Sequence, residues 1–257
     1  MEIIKFIKAK GNKYKVELDT GENLVLYDDV IIAFNLLNNK QLNAQQLIKI
    51  SQKNNELDAY YRSIKYLSIK LRTKKEMESY LLKSFDSYIV NQTINRLIND
   101  GYLNNKQYLT AYLNDQINLT ANGPQKIYHQ LINLGISEEL INQYISEIKP
   151  NVWLERINKI INKKIQLNHK LPSYIFKQKL QNDLFNLGYD QSLIKDSLNN
   201  IELKDDLKIV FEEGEKLWHK YQKTYKPEEI PLLVGQKLFQ KGFDWATINQ
   251  FIASKKD

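Results

Sequence analysis

One short unit recurs at near-constant spacing and constrains the fold more than any other feature of the chain. It reads as a helix-like stretch, a glycine, an apolar residue, Asp or Ser, and a second helix-like stretch. The copies are LINLGISEELINQYI around Gly135, LFNLGYDQSLIKDSL around Gly188 and LFQKGFDWATINQFI around Gly242. An earlier copy, YLLKSFDSYIVNQTI, carries Ser84 at the glycine position, and successive anchors lie 51, 53 and 54 residues apart. Phe85, Ile136, Tyr189 and Phe243 follow the anchors by one residue, and Asp86, Ser137, Asp190 and Asp244 by two. The chemistry of the unit is local. A glycine just past a helix takes a left-handed conformation that other residues adopt at a cost. The next apolar residue packs back, and the Asp or Ser accepts hydrogen bonds from free N–H groups opening the next helix. Each period leaves room for one more helix, over Leu57–Lys70, Lys106–Ile117, Val152–Ile165 and Leu207–Tyr221. A recurrence of this length is the signature of a stacked repeat array.

The first residues differ. Tyr14, Val16 and Leu18 alternate with Lys15 and Glu17, the period of a half-buried strand. Asp19–Glu22 supplies a turn, Asn23–Tyr27 resumes the alternation, and Glu2–Lys8 gives a third strand joined through Gly11 and Asn12. Asp28 or Asp29 is then expected to cap a short helix reaching about Leu37, and Asn43 to start another. The fold expected is mainly α: tandem three-helix repeats forming a curved solenoid, preceded by a small N-terminal β-meander with short helices. The expected divisions are 1–56 for the meander and short helices, then repeats at 57–103, 104–150, 151–203 and 204–257.

Several function classes drop out. With no Cys there is neither a disulfide scaffold nor a thiolate zinc site. The 9 glycines are never closer than seven positions, so no dinucleotide fingerprint, P-loop or nucleophile elbow is present. The 3 histidines lie 40 and 50 residues apart, without metal-ligand spacing. Lys5, Lys8 and Lys10 interrupt the apolar start and leave no signal-peptide core, and no run approaches the ~20 apolar residues of a membrane span. The expectation is a cytoplasmic protein, a monomer without cofactor or metal, in which no familiar catalytic constellation is visible.

The net charge of +7 is unevenly placed. Residues 59–103 carry 8 basic against 4 acidic side chains, as do residues 150–201, whereas residues 1–58 and 202–257 are each balanced. Lys70, Arg72, Lys74 and Lys75 crowd one helix–helix junction. Arg156, Lys159 and Lys163 share a helical face with Lys164 beside them, over an apolar stripe of Ile157, Ile160, Ile161 and Ile165. Two basic patches on a repeat surface suit a phosphate backbone or an acidic protein groove; Lys-rich faces also serve solubility alone. Tyr60, Tyr61 and Tyr66 near the first patch read as divided between core and surface, with base stacking the rarer role. Trp153, Trp218 and Trp245 read as packing between helices. Of the acidic groups Asp205–Asp206, Glu212–Glu213 with Glu215, and Glu228–Glu229, two fall where helices begin, so complementing the helix dipole is a cheaper reading than a divalent-metal site.

The segment Ala59–Phe85 resembles the signature of the RecX family of recombinase regulators. That signature has an Ala, a Leu-Ser step, an Arg-x-Arg-Ser step and a Glu three residues after the Ser. Here the stretch reads Leu67-Ser68-Ile69-Lys70-Leu71-Arg72-Thr73-Lys74-Lys75-Glu76, with Lys70 for the first Arg and Thr73 for the Ser. Thr73-x-x-Glu76 is also a capping box, which gives both residues a scaffold role. LINDGYLNNKQYLTAYLNDQ, containing Gly101, is similar to the family's second stretch, with Asn104 and Asn105 replacing its acidic pair and Leu109 its Ala. GPQKIYHQLINLGI, from Gly123 and Pro124 through Gly135, resembles its Gly-Pro stretch closely, and Gly188 and Gly242 continue the repeat anchors.

The resemblance implies a non-enzymatic regulator. Such proteins are curved helical repeats that lie in the groove of the RecA recombinase filament on single-stranded DNA and suppress its ATPase, strand-exchange and coprotease activities. Some bind DNA directly. On that implication Lys70, Arg72, Lys74, Lys75, Arg156, Lys159, Lys163 and Lys164 form the contact surface. The residues themselves leave two rivals open: a stand-alone helical-repeat nucleic-acid binder, and a scaffold for another protein.

Overall fold

The computed structural model describes residues 1–167, 171–199, 201 and 206–255. Two compact units divide the chain: Met1–Ala111 with Asn133–Ser137, and Tyr112–Ile132 with Glu138–Asp257.

The first unit opens with β1 (Ile3–Lys8), β2 (Lys13–Leu18) and β3 (Asn23–Tyr27), an antiparallel meander in that order. Phe6 pairs with Val16 and Val16 with Leu24, so one row of side chains faces the helices and buries Val16 completely. A short α1 (Asp28–Ala33) follows. Its N-cap is Tyr27, and neither Asp28 nor Asp29 caps it as the sequence suggested. Asp29 instead accepts a 2.6 Å hydrogen bond from the Tyr61 hydroxyl, which pushes that phenol up to about 12.

Then comes α2 (Ala44–Leu67), capped by Asn43 in a reciprocal box with Gln46. The two helices expected at Asn43 and at Leu57–Lys70 are thus one. Its N-terminal half belongs to the sheet: Ile50 and Leu57 are buried with Ile3, Leu18 and Leu26. The Asn54 amide pairs with the edge of β3, accepting from Tyr27 N at 3.0 Å and donating to Val25 O at 3.0 Å. Four residues on, Asp58 accepts from Lys13 and from the Tyr27 hydroxyl, each at 2.8 Å, and pairs with Arg62. Burial opposes the charge on Asp58, but these donors win and hold its carboxyl below the usual range. The C-terminal half of α2 packs with α3 (Lys74–Leu81) and α4 (Ser87–Asn99) around Ala59, Met77, Leu81, Ile94 and Leu97.

The remaining elements are α5 (Asn105–Leu119), α6 (Pro124–Asn133), α7 (Glu138–Ser146), α8 (Pro150–Leu167), α9 (Ser173–Asn186), α10 (Gln191–Asn199), α11 (Asp206–Tyr221), α12 (Ile230–Gln240) and α13 (Trp245–Ala253). Among them α8, α9 and α10 pack on one another, as do α11, α12 and α13, consistent with the repeat period. The last triplet closes on Ile209, Val234, Leu238, Phe243 and Phe251. Asp86, Asp190 and Asp244 cap the third helix of their triplets, accepting from the backbone N–H of Ile89, Ser192 and Thr247.

Gly101, Gly135, Gly188 and Gly242 all take positive φ, ending α4, α6, α9 and α12. Three of them also make a recurring joint. A Cβ on residue 135 would lie 2.8 Å from the Lys75 Cβ, and one on residue 242 would lie 2.5 Å from Ile175 Cγ1; at residue 188 it would run into the Lys126 backbone. Lys75, Lys126 and Ile175 all stand in the first turn of the middle helix one triplet earlier. The anchor glycine is therefore a point of close approach as well as a turn.

Candidate partner-binding surface

The first basic patch lies at the α2–α3 junction, which Thr73 and Glu76 fix by a full capping box. Thr73 Oγ1 accepts from Glu76 N at 3.2 Å, and Glu76 Oε2 accepts from Thr73 N at 3.0 Å. Thr73 is buried and Glu76 half-buried, in keeping with their scaffold role. Arg72 is drawn into this frame. Its side chain is only 13% exposed, donates to Glu76 at 3.3 Å and lies 4.1 Å over the Tyr66 ring. Tyr66 in turn stacks on Tyr80 at 4.1 Å and 9°, which ties α2 to α3. Lys75 Nζ donates to the carbonyl of Asn133 at 3.0 Å. Lys70 and Lys74 are exposed; Lys70 reaches Glu76 only at 3.8 Å, and Lys74 has no ion-pair partner among the described residues.

The second patch, on α8, divides the same way. Trp153, Ile157 and Ile161 are buried. Arg156 turns inward and donates to four carbonyls, those of Ile117, Gln116 (3.2 Å), Thr120 (2.8 Å) and Asn122 (3.1 Å). These are the last carbonyls of α5 and the turn after it, where the helix dipole is negative and a fixed cation is most effective. Lys164 pairs with Asp183 of α9 at 2.7 Å. Lys159 and Lys163 are exposed, with no ion-pair partner among the described residues. In both patches the arginine holds the fold and lysines face solvent.

Arg156 also helps build the Gly-Pro corner. Gly123 N donates to Leu187 O at 2.7 Å, Gln125 N to Gly188 O at 3.0 Å, and the Tyr189 hydroxyl to Ala121 O at 3.2 Å. A Cβ on residue 123 would meet Gly188 O at 2.6 Å. Pro124 opens α6, where its missing N–H costs nothing. Burial pushes the Tyr189 phenol up, against the pull of Arg156.

The other candidates settle into packing. Tyr60 donates to Asp100 at 2.7 Å under the Arg96 guanidinium, Trp153 is buried, Trp218 meets Phe251 edge-on, and Trp245 stacks on Phe239. No group of three metal-ligating side chains occurs among the described residues, and Asp205 lies outside them. Glu213 is instead buried between Lys216 at 2.8 Å and Lys241 at 2.6 Å. No helix among the described residues is long and apolar enough to cross a membrane.

No family model matches the chain. Among curated proteins, the regulatory protein RecX of Listeria welshimeri is 27% identical over 263 residues, covering 100% of this chain and 97% of that protein. Regulatory protein RecX of Streptococcus agalactiae serotype Ia is 29% identical over 253 residues, covering 96% and 97%. A crystal structure of regulatory protein RecX aligns with a TM-score of 0.64 at 26% identity, over 76% of this chain and 98% of that one. That of RecX from Lactobacillus salivarius shares the fold, with a TM-score of 0.53 over 57% of this chain. With the Thr73 capping box, the Gly123–Pro124 corner and the glycine anchors in place, these likenesses support the RecX family: the chain is similar to its regulatory proteins over its full length in sequence and to their crystal structures in fold.

Proposed function

We propose that this protein is a non-enzymatic regulator of the RecA recombinase, binding the groove of the filament on single-stranded DNA and damping its ATPase, strand-exchange and coprotease activities. The observation that carries the reading is the end-to-end similarity to proteins named regulatory protein RecX. The basic patches supply the contact chemistry. Lys70, Lys74 and Lys75 on one patch, and Lys159, Lys163 and Lys164 on the other, meet acidic recombinase surface or exposed phosphate, while Arg72 and Arg156 set the helices that present them. Long-range attraction between such patches and an anionic groove speeds association and weakens with salt.

The test is steady-state ATP hydrolysis by preformed recombinase filaments on single-stranded DNA, titrated with this protein. A fall in rate at ratios too low to coat the DNA is expected. A fall only when the protein competes for DNA would favour a stand-alone nucleic-acid binder, and no fall at any ratio would overturn the reading.

A further inference from the structure

Beside the first patch lies a cavity of about 290 Å³ lined by Tyr66, Tyr80, Lys75, Glu76, Ser79 and Lys83. We propose that it takes one base of a single-stranded nucleic acid, with the neighbouring phosphates on Lys83, Lys74 and Lys75. This names the partner chemistry at the first patch and rests on that patch being a contact surface.

The size fits one ring system, at the lower edge of the ~300–1,000 Å³ range of small-ligand sites. The chemistry fits a base. Arg72 lies over the Tyr66 ring, Tyr66 stacks on Tyr80, and both tyrosines line the cavity. Aromatic walls of this kind accept any base, because each has a π-face. Neither phenol has a hydrogen-bond partner among the described residues, so two hydroxyls stand ready for base edges or phosphate oxygens. The cations are placed for a backbone. Lys83 follows Tyr80 by one turn of chain, is exposed and has no ion-pair partner among the described residues; Lys75 gives one of its three protons to Asn133 and keeps two. The one carboxylate, Glu76, is already matched by Arg72 at 3.3 Å and Lys70 at 3.8 Å and does not repel an anion. An acidic peptide would use the lysines but leave the tyrosine wall without a role.

The test needs no recombinase. A labelled oligothymidylate and the same strand with abasic sites are titrated by fluorescence anisotropy against the full chain, Tyr80→Leu and Lys83→Ala. Wild type is expected to prefer the strand with bases about tenfold, the worth of one stacked base. Tyr80→Leu is expected to erase that preference while keeping abasic binding, which a merely unfolded variant would lose. Lys83→Ala is expected to weaken both strands alike and lower the salt slope by about one phosphate contact. Equal binding of both strands by wild type, an unchanged preference in Tyr80→Leu, or displacement of the DNA by polyglutamate at equal charge would each overturn the assignment. Filament inhibition that persists without DNA binding would sink this site and leave the regulator reading intact. DNA binding without filament inhibition would do the reverse.

Discussion

The carbonyl oxygen of Gly188 lies 2.6 Å from where a side chain on residue 123 would begin, so these two glycines hold α6 against the end of α9 with nothing between them. The obstacle is backbone on both sides, and neither can swing away. Gly123→Ala is therefore expected to destabilise the fold by about 1–3 kcal/mol, the usual cost of overfilling a packed site. A lowered urea midpoint with an unchanged m value checks it.

Arg156 should prove irreplaceable by lysine. Its planar fork serves carbonyls from Gln116 to Asn122 at once, and an ammonium cannot reach them all. Arg156→Lys is expected to cost about 1.5–3 kcal/mol, as for lost hydrogen bonds to a charged group. Lys159→Glu with Lys163→Glu on the same helix should leave the unfolding midpoint within about 0.5 kcal/mol of wild type, as exposed substitutions do. That double variant is expected to weaken inhibition of recombinase ATPase, as is Lys70→Glu with Lys74→Glu; full inhibition by both would remove the patches from the contact surface.

Asp190→Ala is expected to cost about 1 kcal/mol through loss of the cap on α10. Thermal or urea unfolding reads it directly, and an unchanged midpoint would reject the cap.

Acid should act through Glu213. Burial disfavours its charge, but Lys216 and Lys241 outweigh that and leave its pKa below the ordinary glutamate value. A carboxyl lowered on folding stabilises the protein above its unfolded pKa of about 4.3, and that contribution disappears as pH falls through the folded value. Glu213→Gln should therefore melt below wild type at pH 7, with the gap closing toward pH 3. A gap constant across that range would mean the pair contributes nothing through its charge.

The triplet pattern was legible because its signals are local: a glycine turn, an apolar residue and an Asp cap such as Asp86 or Asp244 fit within a few residues. The continuity of α2 was hidden because its middle, Gln52–Glu56, is polar throughout; Asn54 there reads as a loop residue until β3 appears beside it. Asp29 looked like a cap because nothing nearby in sequence announces Tyr61. The duties of the two arginines were hidden for the same reason. Arg156 finds its acceptors 34 to 40 residues back along the chain. The one available signal was residue type: an arginine among lysines marks the member whose geometry is fixed.

The glycine joints have a consequence for how such a chain can change length. Each joins one turn to the first turn of a helix a triplet earlier and leaves the connections between helices outside it. The anchors can then drift from 51 to 54 residues apart, and the middle helices vary from 8 residues in α3 to 14 in α9, without disturbing the seam. A triplet behaves as a cassette whose fittings are fixed while its spans vary. What an exchange of cassettes must preserve is the small residue on one side of each seam and whatever on the other side leaves it room.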